Sequence, residues 1–249
     1  MRLAENIPEL RHCLRSIAEI IDVLVVPSFV PDGEGALTLI REVAISRPNT
    51  AIVAYCQAGT QFTSNIRSLA IAGVHQFLFA GVDDVGVSLR TVLSAARRQC
   101  AAECVLRQLA LVLPPMLLPI AEIALAKPEV IVDTTGLAEA LGMHRKTLIA
   151  RCAKSHFIGP AELLRWTRLA LVAHLLETTG CAISRIAIEL SFPSDTALRN
   201  LLKRYTGVRA SSLRAAGGVD FVIQCLDRRV QASASASGVS HGVTLPRMP

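Results

Sequence analysis

The spacing of apolar residues changes twice along this chain, and the changes divide it. Over the first hundred residues, short β-branched runs alternate with stretches whose apolar positions recur every three to four residues. Asp22-Val-Leu-Val-Val26, Thr50-Ala-Ile-Val-Ala-Tyr-Cys56 and Val74-His-Gln-Phe-Leu-Phe79 predict strands. Pro8 to Ile20, Gly35 to Ser46 and Thr63 to Ala72 predict helices around and between them, and Val85 to Gln108 predicts a long helix leaving the domain. Strands separated by helices of this length pair in parallel, so residues 1–108 are expected to form an α/β domain. Leu109 to Ala126 is then almost continuously apolar, but Pro114, Pro115, Pro119 and Glu122 interrupt it. A membrane span of about 20 residues accommodates such interruptions poorly, so 109–127 reads as a linker or interdomain helix, with no membrane segment. From about residue 128 to 216 the periodicity is helical. Residues 217–249 read as a tail. From Gln231 onward the tail, opening on Gln-Ala-Ser-Ala-Ser-Ala-Ser-Gly, cannot bury enough large apolar surface to order itself, and its end is expected to be disordered.

Between Gly136 and Arg214 one arrangement occurs twice. The first copy is Gly136-Leu-Ala-Glu-Ala-Leu-Gly142-Met-His-Arg-Lys-Thr-Leu148. The second is Ile183-Ser-Arg-Ile-Ala187-Ile-Glu-Leu-Ser191-Phe192-Pro-Ser-Asp-Thr-Ala-Leu198, followed by Arg-Asn-Leu-Leu-Lys-Arg-Tyr-Thr-Gly207. A helix-turn-helix needs a small residue where its helices touch, a tight turn, and an apolar seam behind an exposed second helix. Ala138 and Ala187 fit the contact, Gly142 and Ser191 the turns, and Leu148 and Leu198 open the seams. Two such units imply two helices presented to a DNA major groove.

With these residues, Gly136 to Arg214 resembles the DNA-binding domain of AraC/XylS-type transcription regulators. The segment Gly159-Pro160-Ala-Glu-Leu-Leu-Arg-Trp-Thr-Arg168-Leu-Ala-Leu-Val-Ala173-His-Leu-Leu176 is similar to that family's central helix, and Gly207-Val-Arg-Ala-Ser-Ser-Leu-Arg214 to its closing signature. The resemblance covers about a third of the chain. Ser191 stands where the family usually has Gly, Leu198 and Leu202 where aromatics are common, Ala210 where Pro is common, and Asn200 where Arg is frequent. The resemblance implies a sequence-specific DNA-binding transcription regulator, with residues 128–216 as an all-α, double helix-turn-helix DNA-binding domain.

Charge agrees with this division. Residues 1–110 hold ten Arg/Lys and ten Asp/Glu, whereas 133–216 hold twelve against six, matching the formal net charge of +6 of the whole chain. The excess lies where phosphates would need neutralising. Hydrophobic residues make up 51% of the chain and aromatics only 4%, so the cores must be aliphatic. The seven cysteines have no framework spacing, which suits reduced thiols and a cytoplasmic protein. Cys100 and Cys104, one helical turn apart, read as buried small apolar residues, because no His nearby completes a ligand set.

The N-terminal part is similar to the later two thirds of a response-regulator receiver domain. Asp22 to Pro27 followed by Pro31-Asp-Gly-Glu-Gly35 resembles the strand and loop of the phosphoacceptor, and Ala72 to Phe79 the last strand. The chemistry does not follow. Pro27 stands where the resemblance implies the acceptor Asp. No Lys lies near Phe79-Ala80-Gly81, and the switch hydroxyl falls at Tyr55-Cys56, where no Ser or Thr is present. The domain therefore reads as an incomplete, degenerate receiver that is not controlled by Asp phosphorylation.

In the first unit Leu148 and Cys152 are expected to face the core, with Arg145, Lys146 and Ile149 outward and His144 as the helix cap. The resemblance places base-reading positions at Lys146, Ile149 and Ala150. In the second, Ser194 is the expected cap, and Leu198, Leu201 and Leu202 the seam. Asp195, Thr196, Arg199 and Asn200 are expected outward, with Lys203 and Arg204 on phosphates. Arg199 reads as a base contact or as the partner of Asp195 in an i,i+4 ion pair. Trp166, near Arg168, reads as the packing anchor of the central helix. The expected partners are double-stranded DNA, a second copy of the chain through the neutral N-terminal domain, and RNA polymerase; no cofactor is expected. No Ser/His/Asp spacing, zinc set or phosphate loop suggests an enzyme. Ile149, Ala150 and Asn200 leave a second reading open, an adaptor that kept the fold and lost specific DNA binding.

Overall fold

The computed structural model of the chain describes residues 4, 6–16, 21–27, 33–57, 62–83 and 86–236, without side chains at 33–35, 62–65 and 233–236. It contains two compact units that meet in sequence between Cys104 and Val105.

The first unit runs α1 (Ile7–Ser16), β1 (Val23–Pro27), α2 (Gly33–Ser46), β2 (Ala51–Cys56), α3 (Phe62–Ala72), β3 (Gln76–Phe79) and most of α4 (Gly86–Leu109). The strands form one parallel sheet in the order β1-β2-β3, with Val23 beside Ala51 and Val53 beside Gln76. The central strand β2 is apolar throughout and buried at every residue but Tyr55, the pattern of a strand covered on both faces. On one face Leu24, Val26, Ile52, Ala54 and Cys56 join Leu14, Leu39, Ile40, Val43 and Leu69 in one core. On the other, Ala51, Val53 and Leu78 pack with Ala96, Cys100 and Cys104 of α4. The Cys100 and Cys104 thiols both donate to the Pro48 carbonyl, at 3.4 and 2.9 Å. Among the described residues no His/Cys/Asp/Glu group could hold a metal, and none of the seven cysteines forms a disulfide. Pro27 is the exposed last residue of β1. The segment 28–32 lies outside the described residues, as do 17–20 at the end of the first predicted helix.

The second unit is helical: a 3-10 turn at Pro115–Leu117, then α5 (Leu118–Ala126), α6 (Thr134–Ala140), α7 (Arg145–Lys154), α8 (Pro160–Thr178), α9 (Ile183–Glu189), α10 (Asp195–Thr206), α11 (Ala210–Leu213) and α12 (Gly218–Ala236). The central helix is α8, and α5, α6, α7, α9 and α12 all pack on it. It is buried almost continuously from Leu163 to Leu175, including Trp166 and the polar Thr167, Arg168 and His174. A helix apolar nearly all round is one enclosed by others.

At the borders of this unit, 109–127, read as a linker or interdomain helix, does not lie outside the unit: Leu117, Ile120, Ala121, Ala124 and Leu125 are buried, and α5 packs against α6 and α8. Its three prolines precede or open helical turns, where a missing N–H is tolerated. Nor is 217–249 a tail from its start. The helix α12 runs antiparallel to α8, burying Val219, Val222, Ile223, Leu226 and Val230. At one end Glu177 of α8 accepts from the Val219 N–H (3.2 Å), and at the other Arg229 meets Glu162 (3.4 Å). The Ala-Ser stretch continues this helix to Ala236, because a turn added to a packed helix needs no new nucleus and alanine favours it. Residues 237–249, the end expected to be disordered, lie outside the described residues. No helix of the described residues is long and apolar enough to cross a membrane.

Candidate nucleic-acid interface

The two turns are built alike. Between α6 and α7, Gly142 takes a positive φ of 62°; its N–H donates to the Glu139 carbonyl (2.9 Å), and the Met143 N–H to that of Ala138 (3.0 Å). Between α9 and α10, Ser191 takes φ 52°; its N–H donates to Ile188 (3.1 Å), and the Phe192 N–H to Ala187 (2.8 Å). One left-handed residue thus reverses the chain and satisfies the carbonyls that end the first helix. Ala138 and Ala187 are buried at the helix contact.

Each second helix then starts on a cap. His144 Nδ1 accepts from the Lys146 N–H at 3.2 Å, and Ser194 Oγ from the Ala197 N–H at 3.0 Å, as the sequence predicts for both. The helix α6 has its own cap, Asp133 Oδ1, which accepts from Thr135 and Gly136. Leu148 and Cys152 are buried under α7, and Leu198 and Leu202 under α10; Leu201 is only half-buried, beside the seam. Burial pushes the Cys152 thiol up, against the opposing effect of Arg151, so it stays protonated and serves as packing.

These buried pairs fix which residues face away. At about 100° per residue, the position two after the first seam residue points directly opposite the pair. In α7 that position is Ala150, flanked by Lys146 and Lys154 one turn away on either side, all exposed. In α10 it is Asn200, flanked by exposed Thr196 and Arg204, with Lys203 beside them. Arg145 and Ile149 are exposed as well, but they lie towards the side of α7, nearer the seam than Lys146. Asp195 and Arg199 occupy the matching side of α10 and meet each other at 3.4 Å, both half-exposed.

The side chain that joins the units is Arg168. It is buried in α8, donates from Nη1 to the carbonyls of Pro128 and Ile131 (3.3 Å), and from Nη2 to that of Leu190 at 2.6 Å. Its guanidinium also lies 4.4 Å from the centre of the Phe192 ring. Pro128 and Ile131 lead into the first helix-turn-helix, while Leu190 and Phe192 form the turn of the second helix-turn-helix, so one cation holds both within this helical unit. Burial pushes its pKa down from the ordinary value. Trp166 packs edge-on to Tyr205 of α10 at 5.0 Å, which is the anchoring expected of it. The role of Arg168 was not legible in the sequence, which places it near Trp166 but does not show its carbonyl partners. His174, deeper in α8, is held neutral: burial first, then Arg107, pushes it down to about 4.

Residues 137–216, from α6 to the turn before α12, match a family model described as HTH_18, a helix-turn-helix domain. No curated protein and no solved structure matches the chain. The match supports an AraC-type helix-turn-helix region in the second unit and suggests a DNA-binding transcription regulator; it does not reach residues 1–136.

Proposed function

We propose that this chain is a sequence-specific DNA-binding transcription regulator, with α7 and α10 as the helices that enter the major groove. The repeated turn, cap and seam, each supporting an exposed basic helix within the family-matched segment, is the observation that carries this reading. Arg145 and Lys146 of α7, and Lys203 and Arg204 of α10, would grip phosphates or base edges; their exposure supports this role. The binding body extends beyond 128–216 to about 105–236, because α5 and α12 supply much of the packing around α8.

The test is a titration of the full chain with random and selected duplexes at several salt concentrations, together with a footprint. The expected result is a steep salt slope and protection of two major-groove faces about 34 Å apart. Protection of a single half-turn contradicts the two-helix reading. The adaptor reading rests on Ile149, 45% exposed on α7, on Ala150 beside it and on Asn200 of α10; absence of any salt-dependent binding would overturn the DNA-binding reading in its favour.

For the first unit we propose a receiver-like domain that is not switched by phosphorylation. Three parallel strands with helices between them support the likeness, and Pro27 at the end of β1 has no nucleophilic atom. Treatment with a small acyl phosphate is expected to leave the chain unlabelled and DNA binding unchanged; an acyl-phosphate adduct refutes this. A second copy of the chain, met through this domain, and RNA polymerase are the proposed protein partners, and the cytoplasm is the proposed location.

A further inference from the structure

We propose that Asn200 is the principal base-reading residue of α10 and that the base it reads is adenine. The proposal rests on the DNA-binding reading above and adds a chemical identity for one position of the site.

Geometry singles out this residue. Leu198 and Leu202 are both buried, at 0% and 1% exposure, and Asn200 stands midway between them in sequence. On an α-helix the residue midway between an i,i+4 pair points away from it, so Asn200 projects from the centre of the exposed face. It is the sixth residue of the twelve in α10. That is near enough to the N-terminal half to reach base edges when that end enters the groove, while Lys203 and Arg204 fall nearer the exit. The nearest rival is Arg199, but its guanidinium lies on the side of the helix and is engaged by Asp195 at 3.4 Å. Thr196, one turn before Asn200 on the same face, can touch a base edge with a methyl or a single hydroxyl, but cannot form a two-point contact alone.

The chemistry names the base. A carboxamide offers one donor and one acceptor side by side, and the major-groove edge of adenine offers the complement, an N7 acceptor beside an N6 amino donor. Guanine presents two acceptors there, which leaves the amide oxygen of Asn200 facing O6. Cytosine and thymine each offer one group. Among the described residues the Asn200 side chain makes no hydrogen bond within the protein, so both of its groups are free for the contact. The corresponding position of α7 is Ala150, which has no polar side-chain atom. Hydrogen-bonded discrimination at the centre of a recognition helix is therefore assigned to the second unit.

The experiment selects a binding site for the full chain from a random duplex pool, then changes each base pair in turn at fixed salt. One A·T pair in the half-site read by α10 is expected to be required, with its replacement by G·C weakening binding on the order of tenfold to a hundredfold. Asn200→Ala should abolish preference at that pair alone and leave the other positions and the salt slope unchanged. Asn200→Arg should move the preference there from adenine to guanine, which a loss of folding cannot imitate; thermal melting of both variants checks that the exposed substitution leaves the fold intact. If Asn200→Ala keeps every base preference of the parent, the assignment is overturned while the DNA-binding reading stands. If Arg199→Ala erases a preference and Asn200→Ala does not, the side of the helix is the reading face and the assignment is likewise wrong. A parent chain that binds no duplex overturns the underlying reading.

Discussion

The two helix-turn-helix units share a scaffold and differ at the point where it faces outward. Gly142 and Ser191 hold nearly the same positive φ, their neighbours close the same pair of hydrogen bonds, and a side-chain acceptor caps each second helix. Yet α7 presents Lys146, Ala150, Ala153 and Lys154, and α10 presents Thr196, Asn200, Lys203 and Arg204. The first face is a short, smooth surface with charged margins, suited to the backbone or to a thymine methyl; the second carries a two-point hydrogen-bonding group at its centre. Scaffold and readout are thus set by different residues. The seam, turn and cap decide that a helix is presented, and the residue between the two seam positions decides what it can recognise.

The comparison breaks most completely where both units depend on one residue. Arg168 donates to carbonyls that precede the first unit and to the turn of the second. Arg168→Met keeps much of the volume and removes every donor, stranding three backbone carbonyls. The expected loss is about 3–5 kcal/mol of stability, read by chemical denaturation, with both half-sites weakened together. Arg168→Lys should recover little, since one ammonium cannot span acceptors that a planar fork reaches. A variant whose denaturation midpoint is unmoved would remove the clamp from the account.

A similar loss is expected from acid. The folded pKa of His174 lies at about 4, below its ordinary 6.5, so the unfolded chain binds the proton more readily. Its stabilising contribution is complete above about pH 6.5 and is lost as pH falls towards 4, amounting to about 3 kcal/mol. Urea titrations of the full chain at pH 7 and pH 4 measure it. His174→Leu should flatten the difference, and an equal pH dependence in that variant would assign the effect to other groups.

Much of this was legible in the sequence because local rules govern it. The alternation of strands and helices, the caps at His144 and Ser194 and the seams of Leu148 and Leu198 follow from spacing and side-chain chemistry alone. What was missed depends on partners distant in the chain. The helix α12 buries its apolar side against α8 and α10, and α5 resembles a linker until α6 and α8 cover it. The part played by Arg168 appears only when three carbonyls from two other segments converge on it. On α7 Arg145, Lys146 and Ile149 are exposed as expected, and what spacing alone leaves coarse is the angle: the residue directly opposite Leu148 and Cys152 is Ala150. On α10 the same arithmetic moves the centre of the face from Arg199 to Asn200.

The turns allow a finer test of their equivalence. Gly142 carries its φ of 62° without steric cost, whereas Ser191 holds 52° with a Cβ. Gly142→Ala should destabilise by about 1 kcal/mol, because L-residues other than Asn and Asp resist this conformation. Ser191→Gly should stabilise by a few tenths of a kcal/mol, the relief of strain being partly offset by the entropy of glycine in the unfolded chain. Opposite signs in thermal melts show two turns of one geometry filled by different residues. Destabilisation by Ser191→Gly would mean that the serine side chain contributes more than its backbone conformation costs.

The smallest expected effect concerns Arg199, and it bears most directly on which side of α10 reads DNA. The pair with Asp195 spans one turn at 3.4 Å with both side chains about half exposed. Such a pair is worth about 0.2–0.5 kcal/mol, since solvent and salt screen it and two side chains must be ordered to form it. Asp195 also sits in the first turn of α10, where a negative charge is favourable without any partner. Arg199→Ala is therefore expected to lower stability within that range, less so at high salt, and to weaken selected and scrambled duplexes by the same factor. A loss confined to the selected duplex would mean that Arg199 leaves Asp195 on binding and reaches a base edge, moving the reading face of α10 towards its side; α7, where Ile149 occupies the matching position, would then present an apolar residue at its own point of contact.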